Sequence, residues 1–242
     1  TMEEYNQGFG SILYATLLPE LPSGARLTVT ESHDYAQVFV DGTYVGKLDR
    51  RNGEKELTLP PCRKGAKLDI LVEAMGRINF GRAIKDYKGI TQSVTLSVEQ
   101  EGLLWTTELH NWQVGLLPDA LETYDTMLHG NDVTPTPKLT PNAEGRLPRG
   151  AYRARFVVKR PADTFLDMET WGKGLVYVNG HPLGRFWEIG PQQTLYLPGC
   201  WLKKGENEIV VFDIMGPRQA KCQGLTQPKL DNLLVKKRLT HR

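Results

Sequence analysis

Long apolar runs are missing from this chain. No stretch of its 242 residues approaches the ~20 needed to span a bilayer, so no membrane partner is expected. Charge of one sign is missing too: 30 Lys and Arg stand against 28 Asp and Glu, a formal net charge of +2. That balance gives no basic or acidic surface to attract nucleic acid or a charged polymer. Cysteine is scarce, with three residues in no CxxC or Cys/His arrangement, which leaves no metal site and no cofactor to expect. The amino terminus, TMEEYNQGFG, lacks the charged-then-apolar pattern of an export signal and reads like a cut made inside a longer protein.

What the chain does have is one supersecondary unit written twice. Val38, Val40, Gly42, Gly46, Leu57, Leu59, Pro60 and Cys62 recur as Val176, Val178, Gly180, Gly184, Leu195, Leu197, Pro198 and Cys200, all at one offset. After a two-residue slip, Lys64-Gly65 and Met75-Gly76 return as Lys204-Gly205 and Met215-Gly216. Each copy opens with β-branched and aromatic residues broken by Asp41-Gly42 or Asn179-Gly180, dipeptides that tolerate the positive φ of a type I′ turn. A tight hairpin is predicted in each, followed by strands ending at LTLP or LYLP and then KLDILVEAMG or NEIVVFDIMG. Their alternation has period two, and neither unit has room for a long helix. The predicted fold is all-β, two tandem jelly-roll sandwiches.

Further strands are expected at SILYATLLPEL, Ala25 to Glu31, Ser93 to Ser97 and Ala151 to Val158, with a final one at Pro228 to Val235 ahead of a basic solvated tail. The tryptophan-bearing segment 98 to 117 returns to alternation, and the boundary is placed just before it, giving domains 1–97 and 98–242. Leu121 to Leu128 could form a short helix. Residues 129–149, with four prolines, form a long loop that crosses a surface. Cys62 and Cys200 hold one slot in two separate copies and are not expected to pair; Cys222 could reach Cys200, but buried free thiols are the better reading.

Positions shared by both copies are explained by folding, so function is sought in what they do not share. The first private segment is Arg77 to Gly89, RINFGRAIKDYKG, whose counterpart after Met215-Gly216 reads PRQAKCQG. The second is the set Trp171, Trp187 and Trp201. EAMGRINFGRAIKDYKGI, then NWQVGLL, then WGKGLVYVNGHPLGRFWEIGPQQTLYLP resemble the carboxy-terminal, galactose-binding-domain-like β-domains of glycoside hydrolase family 35 β-galactosidases. YNQGFGSILYATLLP is similar to that family's passage from its barrel into the first β-domain. The resemblance implies a parent enzyme that removes terminal β-linked galactose with retention, using two glutamates on a TIM barrel. It implies the barrel and galactosides as partners, and a periplasmic, extracellular or lysosome-like setting.

A barrel needs ~250 residues of alternating strand and helix, and this chain is committed to strands. The paired carboxylates of a retaining glycosidase cannot be nominated from Glu31, Glu73, Glu108 or Glu188, so no hydrolysis is expected from the chain alone. Glu73 and Asp213 hold equivalent slots and read as partners of turns or arginines. The resemblance places the loop after Met75-Gly76-Arg77 at the barrel mouth, with Asn79 and Phe80 as candidates for the substrate wall. The family's usual Asn-Tyr-Gly is here Asn79-Phe80-Gly81, which keeps the apolar face and loses the hydroxyl. Phe80 faces either substrate or the missing barrel. Arg77 either binds a ligand carboxylate or fastens the loop by an ion pair, the second being favoured; Lys85, Asp86, Tyr87 and Lys88 are read as the loop's rim. The three tryptophans either stack on sugars or fill core and interface, and His33 and His181 are expected in solvent. The leading function is a non-catalytic pair of sandwiches that supports and partly walls a β-galactosidase active site, with an uncovered apolar face beside 77–89. The alternative is an autonomous carbohydrate-binding module.

Overall fold

A computed structural model describes residues 1–124 and 139–230. The chain divides into two compact units, Thr1–Asp119 and Ala120–Arg242. In the first, strands β1 (Ser11–Leu17), β2 (Arg26–Val29), β3 (Ser32–His33), β4 (Tyr35–Val40), β5 (Thr43–Asp49), β6 (Glu56–Thr58) and β7 (Lys67–Glu73) precede β8 (Gly89–Ile90), β9 (Val94–Gln100), β10 (Leu103–Glu108) and β11 (Gln113–Leu117). They form a five-stranded sheet ordered β11-β1-β7-β4-β5, a four-stranded sheet β10-β9-β2-β6 and the small pair β3-β8. Inward residues of the two large sheets, among them Ile12, Val38, Ile70 and Val72 from one and Leu27, Val29 and Leu96 from the other, make one apolar core.

The second unit holds β12 (Gly150–Val158), β13 (Thr164–Asp167), β14 (Lys173–Val178), β15 (His181–Trp187), β16 (Thr194–Leu197), β17 (Gly205–Asp213) and β18 (Gly224–Leu225). Its sheets run β12-β17-β14-β15 and β16-β13-β18. The order β1-β7-β4-β5 of the first unit is thus repeated strand for strand. The duplication reaches backbone detail: Asp41-Gly42 and Asn179-Gly180 both turn at positive φ, and the hairpin register slips between Val38 and Phe39 and again between Val176 and Tyr177. Both units are β-sandwiches of jelly-roll type, as the alternation predicts.

The boundary differs from the one read after residue 97, which would cut β9. β9 pairs with β2, β10 with β9 and β11 with β1, so residues 98–117 widen both sheets of the first sandwich. Alternation marks a strand without saying which sheet it joins. Strands β13 and β18 are too short to carry a clear alternation. Residues 121–124 are helical, while the rest of the segment read as helix, the first part of the long loop and the segment 231–242 lie outside the described residues. Residues 228–230 carry no strand. All three cysteines are free thiols, as expected, but none is fully buried: Cys62 and Cys222 are half-buried and Cys200 is exposed.

Two glycines in sheets test the packing. A Cβ at Gly174 would lie 1.7 Å from the Phe212 carbonyl oxygen, whereas one at Gly115 would meet nothing nearer than 3.6 Å. Gly174→Ala is expected to lower unfolding free energy by about 3 kcal/mol, through overpacking that the sheet backbone cannot relax. Gly115→Ala should change it by roughly 0.5 kcal/mol or less. Urea denaturation of the two variants side by side checks this, and equal midpoints would contradict the register.

Candidate functional site

The loop 77–89 leaves β7 through Met75-Gly76 and returns at β8, where Gly89 pairs with His33. Its sequence offers few apolar residues to anchor it, and charge does that work instead. Lys88 is fully buried, and its ammonium reaches Asp34 Oδ2 at 2.6 Å, Asp86 Oδ2 at 2.7 Å and the Gly76 carbonyl at 3.1 Å. All three of its donors are used. Arg50 Nη1 donates to the other oxygens of the same carboxylates, Asp34 Oδ1 at 2.6 Å and Asp86 Oδ1 at 2.8 Å. Two cations and two anions therefore alternate in a closed ring joining β3–β5 to the loop. Burial alone would raise the Asp86 pKa, but hydrogen bonds from Lys88 and Arg50 hold it at about 2. Asp34 Oδ2 also accepts the Met75 amide at 2.7 Å, which fixes the point where the loop begins.

Arg77 fastens the loop's other side. It donates to the Asp86 carbonyl at 2.9 Å and the Gly8 carbonyl at 2.7 Å, and pairs with Glu3 at 2.6 Å. Glu3 in turn accepts the Lys88 amide, and the Met2 amide donates to the Lys88 carbonyl at 2.8 Å. Residues 1–10 are laced to the loop by these contacts. On the secured backbone Asn79 is exposed and Phe80 is 89% exposed, with Tyr5, Phe9, Ile84 and Tyr87 also turned to solvent.

Three sequence readings change here. Asp86 and Lys88 are buried members of the ring, not rim residues, because the segment Asp86-Tyr87-Lys88 already alternates in, out, in as it enters β8. That alternation was the available signal. Asp34 and Arg50 could not be found by it, since they arrive from distant strands. His33 is not in solvent either: its side chain is 13% exposed and faces the loop.

The tryptophans separate. Trp171 is 3% exposed, set edge-on to Tyr152 and Phe186, with its indole N–H on the Lys221 carbonyl at 2.9 Å; its faces are not open to a sugar. Trp187 carries the Lys173 ammonium 4.2 Å from its ring centroid, and Trp201 stacks on the exposed His181 at 4.8 Å. Beside Trp171 the second sandwich holds a cavity of about 830 Å³, walled by Tyr152, Phe156, Leu166, Ile209 and Val211 among others. Its walls are largely apolar, with Arg153, Arg155, Arg160, Asp163 and Gln223 also among the lining residues.

The acids fill local roles. Glu31 pairs with Lys55 at 3.0 Å, Glu188 with Arg146 at 2.6 Å, Glu73 is buried, and Glu108 is exposed on β10. Asp213 accepts the amides of Gly172, Lys173, Met215 and Gly216 at 2.7 to 3.3 Å, while burial pushes its pKa up. Among the described residues no group of three or more His, Cys, Asp or Glu is placed to hold a metal ion.

Removing Lys88 would leave two buried carboxylates with only Arg50 between them. Lys88→Met is expected to cost about 3–5 kcal/mol in urea denaturation, and adding Asp86→Asn to it should recover part of the loss. The Asp86 pKa lies below the ordinary Asp value of ~3.9, so its contribution is full above that pH and is lost as pH falls through about 2. Asp86→Asn should flatten the stability profile between pH 4 and pH 2, measured by acid titration of circular dichroism.

Residues 1–114 match the family described as β-galactosidase, first all-beta domain, and residues 150–207 match that described as β-galactosidase, galactose-binding domain. Among curated relatives, the chain is 36% identical over 210 residues to human beta-galactosidase-1-like protein 3, covering 86% of this chain and 29% of the relative. It is 34% identical over 239 residues to Arabidopsis thaliana beta-galactosidase 17, covering 90% and 33%, and 35% identical over 243 residues to Bos taurus beta-galactosidase, covering 92% and 34%. The chain thus spans about a third of the length of the curated relatives it matches. It belongs to the β-galactosidase family, of which it carries the first all-beta domain followed by the galactose-binding domain.

Proposed function

We propose that this chain is a non-catalytic part of a β-galactosidase, supporting the catalytic barrel of its parent enzyme and partly walling the active site. The observation that carries this is the set Tyr5, Phe9, Phe80, Ile84 and Tyr87, each 46% exposed or more, on two segments whose backbone is secured by buried ion pairs and backbone hydrogen bonds. Exposed apolar side chains on a fixed frame mark a contact surface. The Phe80 ring offers a flat apolar face to the C–H surface of a terminal galactose, with Asn79 beside it to hydrogen-bond. Removal of β-linked galactose belongs to the barrel in this reading, and an exported or lysosome-like compartment goes with its glycan substrates.

An autonomous sugar-binding role is less well supported, because Trp171 is enclosed and the second unit's cavity is largely apolar. The test is reconstitution. A barrel domain of the parent protein, produced alone, should bind this chain and gain hydrolysis of a chromogenic β-galactoside. Phe80→Asp should cut that gain about tenfold, a loss near 1.4 kcal/mol, without changing the chain's Tm. Absence of association and of any gain would overturn the proposal, and heat released on titrating galactose into the chain alone would favour the binding module.

A further inference from the structure

His33 ends β3 against the ring of charges, and every partner of its imidazole is an acceptor. Nδ1 lies 2.6 Å from the Tyr87 carbonyl oxygen and 3.6 Å from Asp86 Oδ1. Nε2 lies 3.3 Å from Glu31 Oε2. A neutral imidazole has one N–H and one lone pair. With its hydrogen on Nδ1, facing Tyr87, the ring turns a lone pair toward the Glu31 carboxylate. Only the doubly protonated ring donates at both ends.

We propose that His33 is a proton-operated clasp: its second proton ties Glu31 to the loop 77–89, and loss of that proton loosens the loop. The charges around it leave the imidazole as the variable element. Glu31 is neutralised by Lys55 at 3.0 Å, and Asp34 and Asp86 by Arg50 and Lys88. Three fixed cations thus offset three fixed anions. The Asp86 pKa of about 2 keeps that group ionised throughout the range in which an imidazole gains or loses its proton. On deprotonation the Tyr87 contact remains, while the Glu31 hydrogen bond and the attraction to Asp86 are lost. The part of the loop next to His33 is the part that carries Tyr87 and, further on, Phe80.

That this would tune the contact with a barrel rests on the function proposed above; the clasp itself does not, and its test uses the 242-residue chain alone. Hydrogen exchange of the amides in residues 79–87, normalised to intrinsic rates, is followed at pH 5.5 and pH 8.0 with β4 and β7 amides as internal reference. Protection of the loop is expected to be about fivefold greater at pH 5.5, the scale of one charge-assisted hydrogen bond at a partly exposed site. His33→Asn, which keeps a donor toward Tyr87, should abolish the difference. Glu31→Gln, whose amide can donate to the neutral ring, should shrink it to the part that the attraction to Asp86 supplies. Equal protection at both pH values in the unaltered chain, a difference that persists in His33→Asn, or one left undiminished by Glu31→Gln, overturns the proposal. Should His33→Asn fail to fold, Glu31→Gln decides alone.

Discussion

A lysine with no solvent exposure, Lys88, holds two aspartates together, and the shape of the first unit's private loop depends on that contact. Taking an ammonium out of water costs several kcal/mol, which only complete pairing can offset. Pairing here is complete: each Lys88 donor has an acceptor, and the far oxygens of both carboxylates are bound by Arg50. The loop needs such a device because its own composition gives it little else. Arg77, Asn79, Gly81, Arg82 and Lys85 have no apolar face to bury, and Phe80 and Ile84 point outward. A loop without a core can be fixed only by charges and backbone hydrogen bonds.

The duplication supplies a control within one molecule. At the slot of Asp34 the second copy has Gly172, and at the slot of Glu73 it has Asp213. The backbone requirement is common to both, since the amide of Met75 or Met215 needs an acceptor where β7 or β17 ends. Asp34 meets it from β4's side at 2.7 Å, and Asp213 meets it from the strand end itself at 2.8 Å. The two solutions exclude one another sterically. A Cβ at Gly172 would sit 2.6 Å from Met215 Cβ and 3.0 Å from Asp213 Oδ1, so no aspartate fits there. With the carboxylate relocated, the second copy has lost the anchor for a charged loop, and PRQAKCQG follows instead.

How much of this was legible depended on whether a feature is local. The hairpin turns, strand periods and fold class came from dipeptides and alternation, whereas the register slip at Val38 and Val176, common to both copies, was not read from the sequence. The unit boundary was not legible, because strands β9 to β11 look alike whichever sheet they join. Arg77 could be named from its motif. Its partners could not, since the Gly8 carbonyl and Glu3 come from a segment about seventy residues away. Asp86 and Lys88 were misread for a related reason: in a loop rich in charge, exposure is the ordinary expectation, and burial followed only from Asp34 and Arg50 arriving opposite them.

The same arrangement explains why a few exposed aromatic groups could matter to a partner. Association costs rotational, translational and loop-ordering entropy, and a mobile loop would surrender about 1 kcal/mol for each side chain it had to immobilise. Here the backbone beneath Phe80 is already secured at both ends, by Arg77 on one flank and by Asp86 and Lys88 on the other. Little ordering remains to be done when a surface meets it. In the function proposed above, the ionic ring contributes to recognition without touching the partner, by settling in advance where an apolar ring stands.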